Sequence, residues 1–383
     1  MKICGIICEY NPFHNGHLYL LEQAKAQTNA DAIVCIMSGG FVQRGESAII
    51  DKYTRAKHAI LAGADAVIEL PTVFATANAE LFAKGAVHIL SSIPDFSHLC
   101  FGAEDENAEK LIKTAKLLLD EPIEISQKIK GELTKGVSYA KARANAWSGI
   151  IDEEYISSPN NILALEYVKA LLTKNSNADI CPIKRIGSGY NDLTLQSNYS
   201  SASAIRDAIK RKDAAAFFNL PDFVAKDIPQ KTKNCLEELE KLSLLIKTPQ
   251  EIALTCDCNE GLENAFKRCA EQNTPNLVQE LTTTRYTSSR IRRIALQSLL
   301  NIRRDTILES LQNPLYIQLL GAKKERKDVL TALSQSSFPL LTKYTPPEQL
   351  SGVAKTVYET DLFADKVFAI VNNVQIIKGN IFY

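Results

Sequence analysis

The chain opens on a strand that can only be buried. Lys2–Cys8 is a continuous apolar run that gives way to polar Glu9-Tyr10-Asn11 and then to a helical segment, Gly16–Ala26. A strand apolar on both faces belongs inside a parallel sheet with helices packed on each side. The same alternation continues down the chain. Ala32–Met37 is a second buried strand, Lys52–Ala62 a helix with Gly63 at its C-cap, and Ala66–Leu70 a third strand stopped by Pro71. Asn78–Leu90 is a helix, and His98–Phe101 is a fourth strand ending at Gly102. This pattern predicts a doubly wound, Rossmann-like α/β domain, whose ligands sit at the carboxyl ends of the strands.

Helical signals follow at Asn107–Leu119, Ile123–Lys130, Ser138–Trp147 and Asn161–Leu172. Ile180–Ile186 reads as a further strand, and Ser201–Arg211 as a helix with Ser201 as N-cap. Pro221, Pro229 and Lys231-Thr232-Lys233 mark a boundary. The expected organisation is an α/β domain over residues 1–215 and a mostly helical domain over 216–383, with a small β finish at Val367–Val371 and Val374–Lys378.

Composition removes several classes of function. Lys+Arg and Asp+Glu both number 44, so bulk positive charge cannot coat a nucleic acid, although a local basic patch can still bind one. No stretch approaches the ~20 apolar residues of a membrane span. The first strand lacks a small-residue cleavage site, so it is not a signal peptide and a cytoplasmic location is expected. Nine scattered cysteines do not form a disulfide framework. Cys256-Asp257-Cys258 lacks zinc-ligand spacing, and no histidine lies beyond His98, so no metal site is expected.

Two constellations carry chemistry. The first is Glu9-Tyr10-Asn11-Pro12-Phe13-His14-Asn15-Gly16-His17, between the first strand and first helix. Two histidines three apart share one face of a first helical turn, and Gly16 lets the backbone approach a ligand closely. The helix N-terminus favours an anion, and imidazole donors can hold charge developing on a phosphoryl group. The second is Ser201-Ala202-Ser203-Ala204-Ile205-Arg206, also at a helix start, where hydroxyls, N–H groups and Arg206 suit phosphates. Gly187-Ser188-Gly189 lacks the third glycine of a dinucleotide fingerprint. The loop Ser38–Asp51, with Gln43, Arg44 and Glu46 among three glycines, can close over a substrate.

H-x-G-H after the first strand, joined to S-x-S-x-I-R at a late helix, resembles the nucleotidylyltransferase superfamily. The likeness extends to Met37-Ser38-Gly39-Gly40-Phe41-Val42-Gln43-Arg44-Gly45-Glu46, Phe101-Gly102-Ala103-Glu104, Ser158-Pro159-Asn160-Asn161-Ile162-Leu163 and Lys184-Arg185-Ile186-Gly187. Arg285-Tyr286-Thr287 and Tyr316-Ile317-Gln318-Leu319-Leu320-Gly321 continue it. Together these resemble the bacterial tRNA(Met) cytidine acetate ligase family along the whole chain.

That resemblance implies that acetate attacks the α-phosphate of ATP, giving acetyl-adenylate. The wobble cytidine of elongator tRNA(Met) would then take the acetyl group as N4-acetylcytidine. His14, His17 and Arg206 would be catalytic. ATP would be wrapped by Ile7, Cys8, Glu9, Tyr10, Asn11, Pro12, Phe13, His14, Asn15, Gly16, His17, Leu18, Tyr19 and Leu20, with Gly102, Asn160, Asn161, Arg185, Ile186, Ser201 and Ser203. Mg²⁺ is expected only as a companion of the triphosphate. For RNA, the basic stretch Thr282–Arg293 and Lys323-Lys324 fit phosphate contacts with base stacking, through Arg285, Arg290, Arg292, Arg293, Lys323 and Lys324. A solvated helix face would have the same composition. Two other readings stay open: an adenylyltransferase of a small phosphorylated cofactor precursor, or a nucleotide-binding protein without turnover.

Overall fold

A computed structural model describes the chain apart from residues 153–154, 157, 187–194, 196–197, 230–233 and 376–380. Gly187-Ser188-Gly189 and Lys231-Thr232-Lys233 lie outside the described residues. The strands are β1 (Ile3–Cys8), β2 (Ala32–Ser38), β3 (Phe41–Val42), β4 (Glu46–Ser47), β5 (Ala66–Leu70), β6 (Phe96–Ala103), β7 (Asp179–Lys184), β8 (Ile317–Ala322), β9 (Leu340–Leu341) and β10 (Ile381–Phe382). The main sheet runs β10-β8-β5-β2-β1-β6-β7, with β9 against β8, while β3 and β4 form a separate antiparallel ribbon. From β5 to β7 every neighbouring pair is parallel. The order therefore reverses beside β1, and the switch point between β1 and β6 is where such sheets take ligands.

The pleat explains why β1 is apolar throughout. Ile3 and Ile7 join Val34, Ile36 and Ile68 in a core covered by helices Ala79–Leu90 and Pro159–Thr173 and by the long helix Gly352–Asn372. Cys4, Ile6 and Cys8 face the other way, with Ile33, Cys35 and Met37, onto helices α1 (Asn15–Thr28), α2 (Lys52–Leu61) and Ala202–Lys210. A third core, around Leu244, Phe266, Ile291 and Ile294, lies wholly within the C-terminal helices.

The C-terminal half differs from expectation in two places. Ile317–Ala322 is a fully buried strand that pairs antiparallel to β5, so the sheet recruits a strand from beyond residue 215. Val367–Val371 is not a strand; it belongs to helix Gly352–Asn372. The Val374–Lys378 segment lies mostly outside the described residues, and a short terminal strand appears instead at Ile381–Phe382. The long helix is tied to the sheet by polar groups. Asp361 accepts from the Thr72 N–H at 2.7 Å and from the Tyr316 hydroxyl. Lys52 pairs with Glu69 at 2.9 Å and Asp365 at 2.8 Å.

Candidate active site

The loop leaving β1 is fixed from beneath before it reaches the helix. The Tyr10 hydroxyl lies 3.4 Å from Cys35 Sγ, and its ring meets Phe13 edge-on at 4.8 Å. Phe13 is fully buried. The buried Arg55 guanidinium donates to the carbonyls of Glu9 at 2.5 Å, Ser38 at 3.1 Å and Ile50 at 2.9 Å, and also to that of Gly39. One side chain of α2 thus holds the loops that follow β1 and β2.

His14 is the N-cap of α1. Its Nδ1 accepts from the Gly16 N–H at 3.1 Å, and the His14 N–H donates to His17 Nδ1 at 3.2 Å. This is a capping box built from two histidines in place of the usual hydroxyl and carboxylate. The rings stack with centroids 3.6 Å apart. Because both Nδ1 atoms accept, each neutral ring carries its proton on Nε2 and has a donor to offer. Burial, followed by Arg185 and Arg206, pushes His14 down to about 3. Burial, His14 and Arg185 hold His17 well below the ordinary imidazole range. The pair is therefore two neutral N–H donors at the positive end of a helix.

Helix Ala202–Lys210 meets this loop from the other side. Ser201 caps it, with Oγ accepting from the Ala204 N–H at 3.1 Å. Arg206 donates to the Asn11 carbonyl at 2.8 Å and to Ser203 Oγ at 3.4 Å. At the switch point, Gly102, one residue before the end of β6, meets Arg185, whose Cγ would stand 3.3 Å from a Cβ there. Asn160 donates to Glu104 Oε1 at 2.6 Å, and Asn161 Oδ1 accepts from the Glu104 N–H at 3.1 Å.

One cavity collects these groups. Of the residues expected from sequence, Ile7, Cys8, Glu9, Tyr10, Asn11, His14, Gly16, His17, Tyr19, Leu20, Gly102, Asn160, Arg185, Ile186, Ser201, Ser203 and Arg206 line it. Pro12, Phe13, Asn15, Leu18 and Asn161 stand outside the lining. Asn15 instead donates to the carbonyls of Asn198 and Phe218, both at 3.2 Å. Phe82, Tyr167, Tyr199 and Ser200, which belong to no motif named above, also line the cavity, as do Phe101, Leu163 and Lys184, which stand in the family motifs but were not expected to contact ATP. Leu163 and Tyr167 sit four apart on one helix, which in sequence looks like ordinary core spacing. Gln43 and Arg44 complete the wall from the β3–β4 ribbon.

The family model for HIGH Nucleotidyl Transferase matches residues 1–380. Curated tRNA(Met) cytidine acetate ligases from a Thermoanaerobacter species and from Caldanaerobacter subterraneus are 39% and 38% identical, covering 99% and 100% of this chain and 98% and 99% of their own. The chain belongs to the tRNA(Met) cytidine acetate ligase family. The crystal structure of apo Thermotoga maritima TmcAL superposes with a TM-score of 0.89 at 31% identity, over 97% of this chain and 95% of that one. The same protein bound with alpha-thio ATP gives 0.87 over the same shares.

In this family member the basic cluster is largely engaged with protein groups. Arg285 pairs with Glu260 at 2.7 Å, and Tyr286 lies beside the guanidinium groups of Arg285 and Arg290. Arg290 donates to the Asp257 carbonyl at 2.8 Å and to Asn259 Oδ1 at 2.5 Å. Arg293, only 12% exposed, pairs with Asp257 at 3.6 Å. Arg292 reaches Glu46 at 3.3 Å, and the other oxygen of Glu46 lies 3.8 Å from Arg206. Lys323 pairs with Asp65 at 3.2 Å, whereas Lys324 is exposed. No group of three or more His, Cys, Asp or Glu able to hold a metal occurs among the described residues.

Proposed function

We propose that this chain activates acetate with ATP and acetylates the wobble cytidine of elongator tRNA(Met). The observation that carries the reading is the pair of neutral, capped histidines, His14 and His17, sharing one cavity with Arg206 and with the switch-point residues Gly102, Asn160 and Arg185. The names of its full-length relatives support it. An acetate oxygen attacks the α-phosphorus, and the bond to pyrophosphate breaks. The cytidine N4 amine then attacks the acetyl carbon of acetyl-adenylate. The bond to AMP breaks, and the amine loses a proton to solvent.

The two Nε2–H groups and Arg206 act where negative charge grows on the phosphoryl oxygens and on departing pyrophosphate. Fixed donors stabilise such charge without reorganising. Adenosine takes the end nearest Gly102, Asn160, Arg185 and Ile186. Magnesium, if required, enters with the triphosphate. Residues 1–215 form the catalytic unit, and residues 216–383 supply RNA contacts, chiefly Arg285, Arg290, Arg292 and Lys324. Arg293 and Lys323 serve mainly as internal ion pairs. The enzyme acts in the cytoplasm.

The test is incubation with ATP, labelled acetate and tRNA. Label should appear on elongator tRNA(Met) as N4-acetylcytidine, with AMP and pyrophosphate released. Pyrophosphate release that instead follows a small phosphate ester, with no label on RNA, would transfer the chain to the cofactor adenylyltransferases.

A further inference from the structure

Two C-terminal helices press on the β3–β4 ribbon. Gly45 holds φ +73° at the ribbon turn, and a Cβ there would stand 2.6 Å from the backbone of Arg292 and Arg293 in helix Ser288–Leu299. A Cβ on Gly40 would stand 2.9 Å from the Phe368 ring, and Asn372 Nδ2 donates to Ser47 Oγ at 2.8 Å. Phe368 and Asn372 both belong to helix Gly352–Asn372. Where the ribbon joins the catalytic half, Arg55 holds the carbonyls of Ser38 and Ile50. A ribbon fixed at its base and at its turn keeps its side chains in place for whatever they support.

Glu46 is the side chain that this clamp places between two arginines. One carboxylate oxygen lies 3.3 Å from Arg292 Nη1, and the other lies 3.8 Å from Arg206 Nη2. Arg206 is only 13% exposed, so the inner pair is the less screened of the two. Arg206 also donates to the Asn11 carbonyl and to Ser203 Oγ, and the Glu9 carboxyl acts on it. Glu9 is a weaker anchor, because burial raises its carboxyl and the Gln43 N–H occupies its Oε1 at 2.7 Å. Arg292 in turn acts on Glu240, whose carboxyl burial holds well above the usual range, and makes its ion pair with Glu46.

Of these three side chains only Arg206 lines the cavity. A guanidinium that meets charge growing on phosphoryl oxygens must have its plane set before the reaction, and small misplacement costs rate more than binding. Glu46 therefore acts on the chemistry through Arg206, and Arg292 acts through Glu46.

We propose that Glu46 is a positioning residue for Arg206 and that Arg292 steadies it, so that a helix of the C-terminal half takes part in acetate activation before any RNA arrives. The assignment rests on the acetate-ligase reading, and one experiment separates the two. Acetate-dependent ATP–pyrophosphate exchange is measured on the full chain, without RNA, for wild type, Glu46→Gln, Arg292→Gln, Arg292→Lys and the Glu46→Gln/Arg292→Gln double variant. The rate constant and the ATP KM are determined separately, and folding is checked by thermal melting. Glu46→Gln should lower the rate constant roughly 3- to 30-fold, with the ATP KM within about threefold. Arg292→Gln should lower it roughly 2- to 5-fold, and Arg292→Lys, which keeps the charge, should restore most of that loss. The double variant should stay within about twofold of Glu46→Gln, because both residues act through one chain of contacts. If Glu46→Gln does not fold, the two Arg292 variants carry the test. A wild-type rate in folded Glu46→Gln or in Arg292→Gln, or losses that multiply in the double variant, overturns the positioning role. A folded wild type whose exchange ignores acetate overturns the functional reading itself.

Discussion

The loop after β1 and the basic stretch Thr282–Arg293 both concentrate polar side chains, yet they spend them differently. In the loop the backbone satisfies one nitrogen of each histidine and leaves the other for a ligand. In the basic stretch, carboxylates and carbonyls of the same subunit take up the guanidinium groups: Glu260 for Arg285, the Asp257 carbonyl for Arg290, and the Asp257 carboxylate for Arg293. A polar residue therefore advertises function when local structure fixes it without consuming it. Charge density alone gives no such sign.

The largest effect that can break this contrast is at His17. His17→Ala removes a donor aimed at developing charge, so acetate-dependent exchange should fall roughly 100- to 1,000-fold. The lost cap bond should cost only about 1 kcal/mol of stability. Exchange rates and urea melts measured side by side check this. Full activity in the variant would show that the capping box is merely structural.

A second effect is in pH. His14 is neutral in the folded chain, with its value pushed down to about 3, and titrates near 6.5 when unfolded. Its contribution to stability is complete above pH 6.5 and declines as pH falls from 6.5 toward 3, because the unfolded chain takes up the proton first. The slope for this one group is about 1.4 kcal/mol per pH unit. Urea denaturation at several pH values should find that slope reduced in His14→Gln. An equal slope in the variant would mean that other groups carry the acid sensitivity.

The same contrast explains which features can be read from the sequence. Strand β1, the helix start at His14 and the cap at Ser201 all depend on neighbours within a few residues. Apolar runs and cap spacing therefore reveal them. Strand β8 does not show itself, because its partner β5 lies far back in the chain and Ile317–Ala322 stands in a helical half. Val367–Val371 looks extended by composition, but Val353, Val357, Ala364, Val367, Phe368 and Val371 bury one face of a helix at helical spacing. Arg55 looks like any basic helix residue; its importance comes from the carbonyls of three separate loops. Asn161 and Asn160 are adjacent in sequence, yet only Asn160 lines the cavity, while Asn161 holds the backbone at Glu104.

Arginine substitutions in the basic stretch give the third and smallest effects. Arg293 is mostly buried, so Arg293→Ala leaves Asp257 with a lost partner and should destabilise by about 2 kcal/mol, less than a fully buried pair because Asp257 is partly exposed. Arg285 pairs with Glu260 at the surface, so Arg285→Ala should change stability by less than about 1 kcal/mol. It should instead weaken tRNA binding and flatten the slope of log affinity against log salt by about 1, the signature of one lost phosphate contact. Filter binding over a salt series, together with melting of both variants, separates the two roles. If Arg293→Ala melts like wild type while losing RNA, the stretch is an exposed binding surface, and its internal pairs give way when RNA arrives.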